Sequence, residues 1–146
     1  KRAVKLEVDH TVAYKKWMED ILIPQIVTDN PGIPESALSG CFPHGFSSRP
    51  DAEAFINTLG NMSLLNKSFN SSKDKKDMKD FVDQIKDFRQ NPALYSQWEA
   101  SLIFNSSLTS PSTASFDDIV NAIKDRDRLI RGELLDFVDG SKVRCD

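Results

Sequence analysis

The chain has 146 residues, 39% of them apolar and 28% charged, which is room for one domain that buries roughly two-thirds of its unfolded surface. That balance excludes both a disordered tail and a membrane protein. Nineteen Lys and Arg against 22 Asp and Glu give a net charge of −3, so a histone-like grip on nucleic acid by bulk charge is excluded and any DNA contact must be local.

The first residues, Lys1-Arg2-Ala3-Val4-Lys5, include no initiator Met and no apolar leader, so the chain reads as a piece of something longer. Val4, Leu6 and Val8 alternate with Lys5 and Glu7, which predicts a short strand with one buried face, ending at Asp9-His10. Apolar residues at 14, 17, 18, 21 and 22 predict a short helix from Tyr14 to Ile23 that Pro24 stops. Residues 24 to 50 hold five of the seven prolines and three of the six glycines, the composition of a long ordered loop. A short helix is predicted over Pro50 to Leu59, with Ser48 near its start and Gly60 at its end.

Met78, Phe81, Val82, Ile85 and Phe88 form an apolar stripe on a helix from about Lys73 to Arg89, whose Lys and Asp residues read as a solvated face. Asn91-Pro92 breaks it, and Ala93 to Phe104 forms the next helix. Ser, Thr and Pro over 105 to 115 read as a linker. Ser115-Phe116-Asp117-Asp118 resembles a capping box and opens a long helix with apolar residues at 116, 119, 120, 123, 130, 134, 137 and 138.

Two stretches carry chemistry: Glu7-Val8-Asp9-His10 at a strand end, and the run from Asn61 through Asn70 to Lys73. A strand delivering Asp-His, a long loop, then Asn, a second Asn nine residues on and Lys three further on resembles the HNH, or ββα-metal, nucleases. The wider context Asn57-Thr-Leu-Gly-Asn61-Met-Ser-Leu-Leu65 looks like the version in GmrSD-type modification-dependent restriction enzymes. Ile123, Arg126 and Ile130 reproduce a pattern on the last helix of that group, so the resemblance covers nearly the whole chain. Ala13 departs from it, standing where the family often has Pro.

The resemblance implies an α+β fold, a small ββα-metal core embedded in a mostly helical domain. Residues 1–90 would form the core, including the loop at 24–50, and residues 91–146 a helical C-terminal part. It also implies a DNA endonuclease of a restriction or anti-phage system. In that system the nuclease is the C-terminal part of a larger cytoplasmic protein with an N-terminal NTPase or sensor domain. Asn61 would hold the loop around His10, fixing the orientation and tautomer of the imidazole. Arg126 would be a secondary phosphate contact.

The chemistry can be argued from the residues themselves. Phosphodiester hydrolysis needs a deprotonated water, a cation beside the phosphate and in-line geometry. A neutral imidazole at His10 can take the proton. Asp9 and Asn70 offer hard oxygens suited to Mg²⁺ or Mn²⁺, and Lys73 can reach a phosphate oxygen.

Cys41 and His44 have ligand-like spacing, but no second pair completes a tetrahedral zinc site, so a structural role is expected there. Cys41 and Cys145 are too few for a disulfide scaffold and point to a reducing compartment. Trp17 and Trp98 lie on apolar stripes and are assigned to the core. Two rival classes remain. One is a noncatalytic DNA-binding or regulatory module that keeps the HNH fold; the other is a helical domain of a secreted glycoprotein, suggested by four Asn-x-Ser sequons.

Overall fold

The computed structural model describes residues 6–66, 77–82 and 90–143. They are mostly helical, with a small two-stranded antiparallel sheet, which matches the α+β class at that level. Strand β1, Leu6–His10, pairs with β2, Met62–Asn66, so that Asp9 stands opposite Ser63 and His10 opposite Met62.

The alternation predicted for β1 is present, but the face assigned to the core is not buried at Val8, which is 64% exposed. A period of two shows which residues share a face; only the packing of neighbouring elements decides which face is covered. In this ribbon the face that Val8 shares with His10 is the open one.

A π-helical stretch, Lys16–Leu22, runs directly into α1, Ile23–Asp29. Pro24 therefore does not stop the helix as expected. A proline lacks the N–H that would bond back to residue 20 and crowds that carbonyl. The wider π winding ahead of it changes the register, and in the first turn of the new α segment that N–H is not needed.

The Pro-rich loop expected over 24–50 is correspondingly shorter and contains a 3₁₀ turn, Glu35–Gly40. Helix α2, Arg49–Ala54, begins where Ser48 caps it, its Oγ accepting from Asp51 N at 3.1 Å. Two 3₁₀ turns, Phe55–Asn57 and Leu59–Asn61, then deliver the chain into β2.

Helix α3, Met78–Val82, lies within the span expected to be helical from about Lys73 to Arg89, but Asp77 just before it is not helical; the rest of that span lies outside the described residues. Helix α4, Pro92–Ser101, is capped by Asn91 and ends three residues earlier than predicted. Ile103 adopts a φ of 58° in the turn that follows, a left-handed conformation costly for a β-branched residue.

The stretch read as a linker, 105–115, is packed structure. Asn105 caps α5, Ser106–Thr109, accepting from Ser107 N and Leu108 N at 3.0 and 3.2 Å. Leu108, Thr109 and Pro111 are all buried. Composition alone reads Ser, Thr and Pro as flexible; here a cap and a fully buried leucine fix them.

Helix α6, Phe116–Val143, starts at a genuine cap, with Ser115 Oγ accepting from Asp118 N at 3.1 Å. Its first turns bury Phe116, Ile119, Val120 and Ile123 as the periodicity predicts. Further along, Leu134 and Val138 are exposed rather than buried, together with Leu129 and Leu135.

The core lies between the π-helical stretch, α1, α2, α5 and the first half of α6. Trp17 sits at its centre, stacked on Phe116 at 5.8 Å and tilted against Phe55. Its indole N–H donates to the Ala52 carbonyl at 3.0 Å. Each such fully buried large side chain contributes about 2 kcal/mol through removal from water. Trp98 packs against the edge of the same core. None of the described helices is long and apolar enough to cross a membrane.

Candidate functional site

The candidate site is assembled where the 3₁₀ turn Leu59–Asn61 crosses α6. Gly60 makes the crossing close. A Cβ there would overlap the Ile123 carbonyl oxygen and lie 2.7 Å from Asp127 N, both backbone atoms of a helix that cannot give way locally. Glycine at position 60 is therefore a condition of the approach that brings β2 to α6.

Asn61 follows, with 0% exposure. Its Oδ1 accepts from Val12 N at 2.8 Å, and its Nδ2 donates to Val12 O at 3.1 Å and to Ile56 O at 3.0 Å. The Asn61 backbone carbonyl takes a further bond from Thr11 N at 2.7 Å. Thus Asn61 holds the two residues after His10 from both its side chain and its main chain, and the same amide holds the chain at Ile56.

Arg126 closes the arrangement from α6. Its guanidinium donates to three carbonyls: Leu102 at 3.0 Å, Gly60 at 2.9 Å and Met62 at 2.6 Å. It also lies over the Phe104 ring, 4.8 Å from the centroid. Burial lowers its pKa from the ordinary arginine value. At 5% exposure the residue turns these donors inward, and Arg126 braces the turn that presents Asn61.

His10 ends β1 beside this clamp. Its Nε2 lies 2.8 Å from Asn57 Oδ1, and its ring is tilted against Tyr14 with centroids 6.2 Å apart. Asn61 thus positions the backbone after His10, whereas Asn57 meets the imidazole itself. Sequence reasoning assigned Asn57 no role. Nothing local distinguishes it from other asparagines in this chain, because the contact spans 47 positions and depends on the strand pairing.

Asp9, next to His10 and opposite Ser63, offers a carboxylate oxygen, a donor type that fits a hard divalent cation. The other expected ligand, Asn70, and the expected phosphate contact, Lys73, lie outside the described residues. Asp77, 6% exposed, accepts from Ser112 N at 3.0 Å, and Lys16 Nζ reaches Ser112 Oγ at 2.6 Å and Asp77 Oδ1 at 3.5 Å.

A second polar cluster lies elsewhere, at His44. Its Nδ1 meets Asp29 Oδ2 at 2.7 Å and its Nε2 meets Asp117 Oδ1 at 2.5 Å, while the His44 backbone N–H donates to Asp29 Oδ2 at 2.8 Å. The hydrogen bonds to Asp117 and Asp29 hold the His44 pKa above its ordinary value. Burial pushes the Asp29 carboxyl up, but hydrogen bonds from His44 and Gln25 outweigh it and leave the carboxyl below the usual range. His44 thus ties the end of α1 to the start of α6, and Cys41 Sγ bonds the Ala37 carbonyl at 3.4 Å.

Set against protein-family models, curated proteins and solved structures, the chain has no match.

Proposed function

We propose that the chain is a metal-dependent DNA endonuclease domain of the HNH, or ββα-metal, type, acting in a restriction or anti-phage system. One observation supports this reading above the others. Asp9 and His10 end β1 opposite the head of β2, and Asn61 hydrogen-bonds the backbone of the two residues that follow His10. Strand-end Asp-His pairs also occur in ordinary turns; here a buried asparagine fixes the loop behind the pair, so the backbone that carries the imidazole is held in place.

In this reading His10 accepts the proton of the attacking water on a ring nitrogen. Asp9 and Asn70 would hold Mg²⁺ or Mn²⁺, which when bound offsets the charge that develops on the phosphate and the leaving oxygen. Lys73 supplies a positive charge to a phosphate oxygen. The products are a 3′-hydroxyl and a 5′-phosphate. The net charge of −3 fits a catalytic part whose affinity and target choice reside elsewhere, in an N-terminal NTPase or sensor domain of the same cytoplasmic protein.

Nicking of supercoiled plasmid, with Mg²⁺, Mn²⁺ or EDTA, tests the proposal on the parent chain and on Asp9→Ala, His10→Ala and Asn70→Ala. The expected result is cation-dependent nicking abolished by EDTA and reduced at least about 100-fold in each variant. Full cutting by His10→Ala would refute the assignment of the base. A folded parent that binds DNA without cutting under every cation would favour the noncatalytic module.

A further inference from the structure

We propose that Asn57 is the positioning residue for His10, holding its imidazole as the Nε2–H tautomer so that Nδ1 carries the basic lone pair. The geometry starts from the 2.8 Å contact between His10 Nε2 and Asn57 Oδ1. An amide oxygen can only accept, so Nε2 must supply the proton, and in a neutral imidazole the lone pair then resides on Nδ1.

The contact is built from both sides by one buried group. Asn57 ends the 3₁₀ turn Phe55–Asn57, immediately after Ile56, which is fully buried. The Ile56 carbonyl is held by Asn61 Nδ2, and the turn is closed by Thr58 N to Phe55 O at 3.0 Å and Asn61 N to Thr58 O at 2.9 Å. Two residues past His10, Val12 is bonded through both its N–H and its carbonyl to the same Asn61 amide. Positions 10 and 57 therefore each lie within two residues of a bond to a single immobile side chain. Ring and acceptor meet at a distance set by the clamp rather than by chance encounter of two surface groups.

Asn57 itself is exposed, so packing places no demand for an amide at that position. Its acceptor oxygen is the feature that the arrangement uses. The role as a base orienter rests on the nuclease reading; the tautomer does not.

The test combines two readouts on the whole chain. Long-range proton–nitrogen NMR of ¹⁵N-histidine-labelled protein reads the tautomer of each ring, with the His44 signals identified by their loss in His44→Gln. Plasmid nicking with Mg²⁺ reads kcat and KM. In the parent, His10 should show a protonated-type Nε2 and an unprotonated-type Nδ1. Asn57→Leu should draw the two shifts toward each other and lower kcat about 10- to 100-fold, with KM for DNA unchanged. Asn57→Asp, read at pH 8 to 9 so that the ring stays neutral beside the new carboxylate, keeps an acceptor oxygen in place and should retain the Nε2–H pattern and recover most of the rate. An unchanged thermal midpoint in both variants confirms that the fold is intact.

An Nδ1–H tautomer in the parent, or Asn57→Leu with ring shifts like the parent's, overturns the proposal. If the parent does not nick at all while the NMR contrast holds, the pairing of Asn57 with His10 stands and the nuclease reading falls.

Discussion

Two polar side chains tie distant stretches of this chain together, and they do it in different surroundings. Asn61 is fully buried and joins the segment after β1 to the turn before β2 through three side-chain bonds, all between neutral groups. His44 is half exposed and joins α1 to α6 through two carboxylates. A buried neutral amide contributes little until it is removed, when every backbone group it satisfied is left stranded away from water. An exposed charged bridge loses its effect more gently, because water replaces its partners, and it depends on salt and pH.

Removing the buried clamp should have the largest effect. Asn61→Ala strands Val12 N, Val12 O and Ile56 O, at about 1–3 kcal/mol for each group that water cannot reach. We expect a loss of roughly 3–5 kcal/mol in urea unfolding, the same at pH 5 and pH 9 because no titrating group is involved. A loss below about 1 kcal/mol would show that the clamp is redundant.

Next comes the crossing that presents it. In Gly60→Ala the new methyl meets helix backbone, so the turn and α6 must separate, at a cost of about 2–3 kcal/mol by the same measurement. The exposed Gly32, with open space around its Cβ position, is the control for mere loss of glycine. Its φ of 80° makes the control strict, since Gly32→Ala carries backbone strain without a clash.

Loss of the exposed bridge should be the mildest change and the one that depends on pH. The His44 pKa is raised in the fold, so its contribution is fully present below the unfolded-state value near 6.5 and is lost as pH rises through the higher folded value. The Asp29 pKa is lowered, so its contribution is present above the ordinary carboxylate value of 3.8 and is lost as pH falls through the lower folded value. His44→Gln should therefore lower the unfolding midpoint at pH 5 to 6, converge with the parent toward pH 9, and differ less from it in high salt. A constant difference across that range would mean that packing of the ring on Phe116, at 5.3 Å, matters more than charge.

Some local signals were read correctly, whereas the helix expected over Pro50–Leu59 ends at Ala54 and gives way to 3₁₀ turns. Ser48 and Ser115 cap helices where the residues three positions on have an N–H to give. The stripe at 116, 119, 120 and 123 faces the core because 3.6-residue spacing puts those side chains on one side whatever lies opposite. Two of the readings that failed depended on a distant partner, and a third on the winding of the turn next to it. Val8 lies on the open face of the ribbon, and 105–115 is packed because Leu108 finds a place in the core. Pro24 continues a helix because the turn before it is wound more widely. The apolar stripe of α6 does not predict how far along the helix a neighbour covers it: Leu134 and Val138 repeat the spacing and remain exposed.

The same division runs through the candidate site. The pattern of Asp9, His10 and Asn61 in the chain marked a strand end and an asparagine as candidates, and the fold brings that asparagine against the two residues after His10. Which residue touches the imidazole, and where Arg126 sends its charge, were decided only when β1 paired with β2 and α6 closed over Gly60. Local sequence sets backbone preference over a few residues, whereas a hydrogen bond between positions 10 and 57, or between 126 and 60, exists only after the whole core has brought those segments within 3 Å of each other.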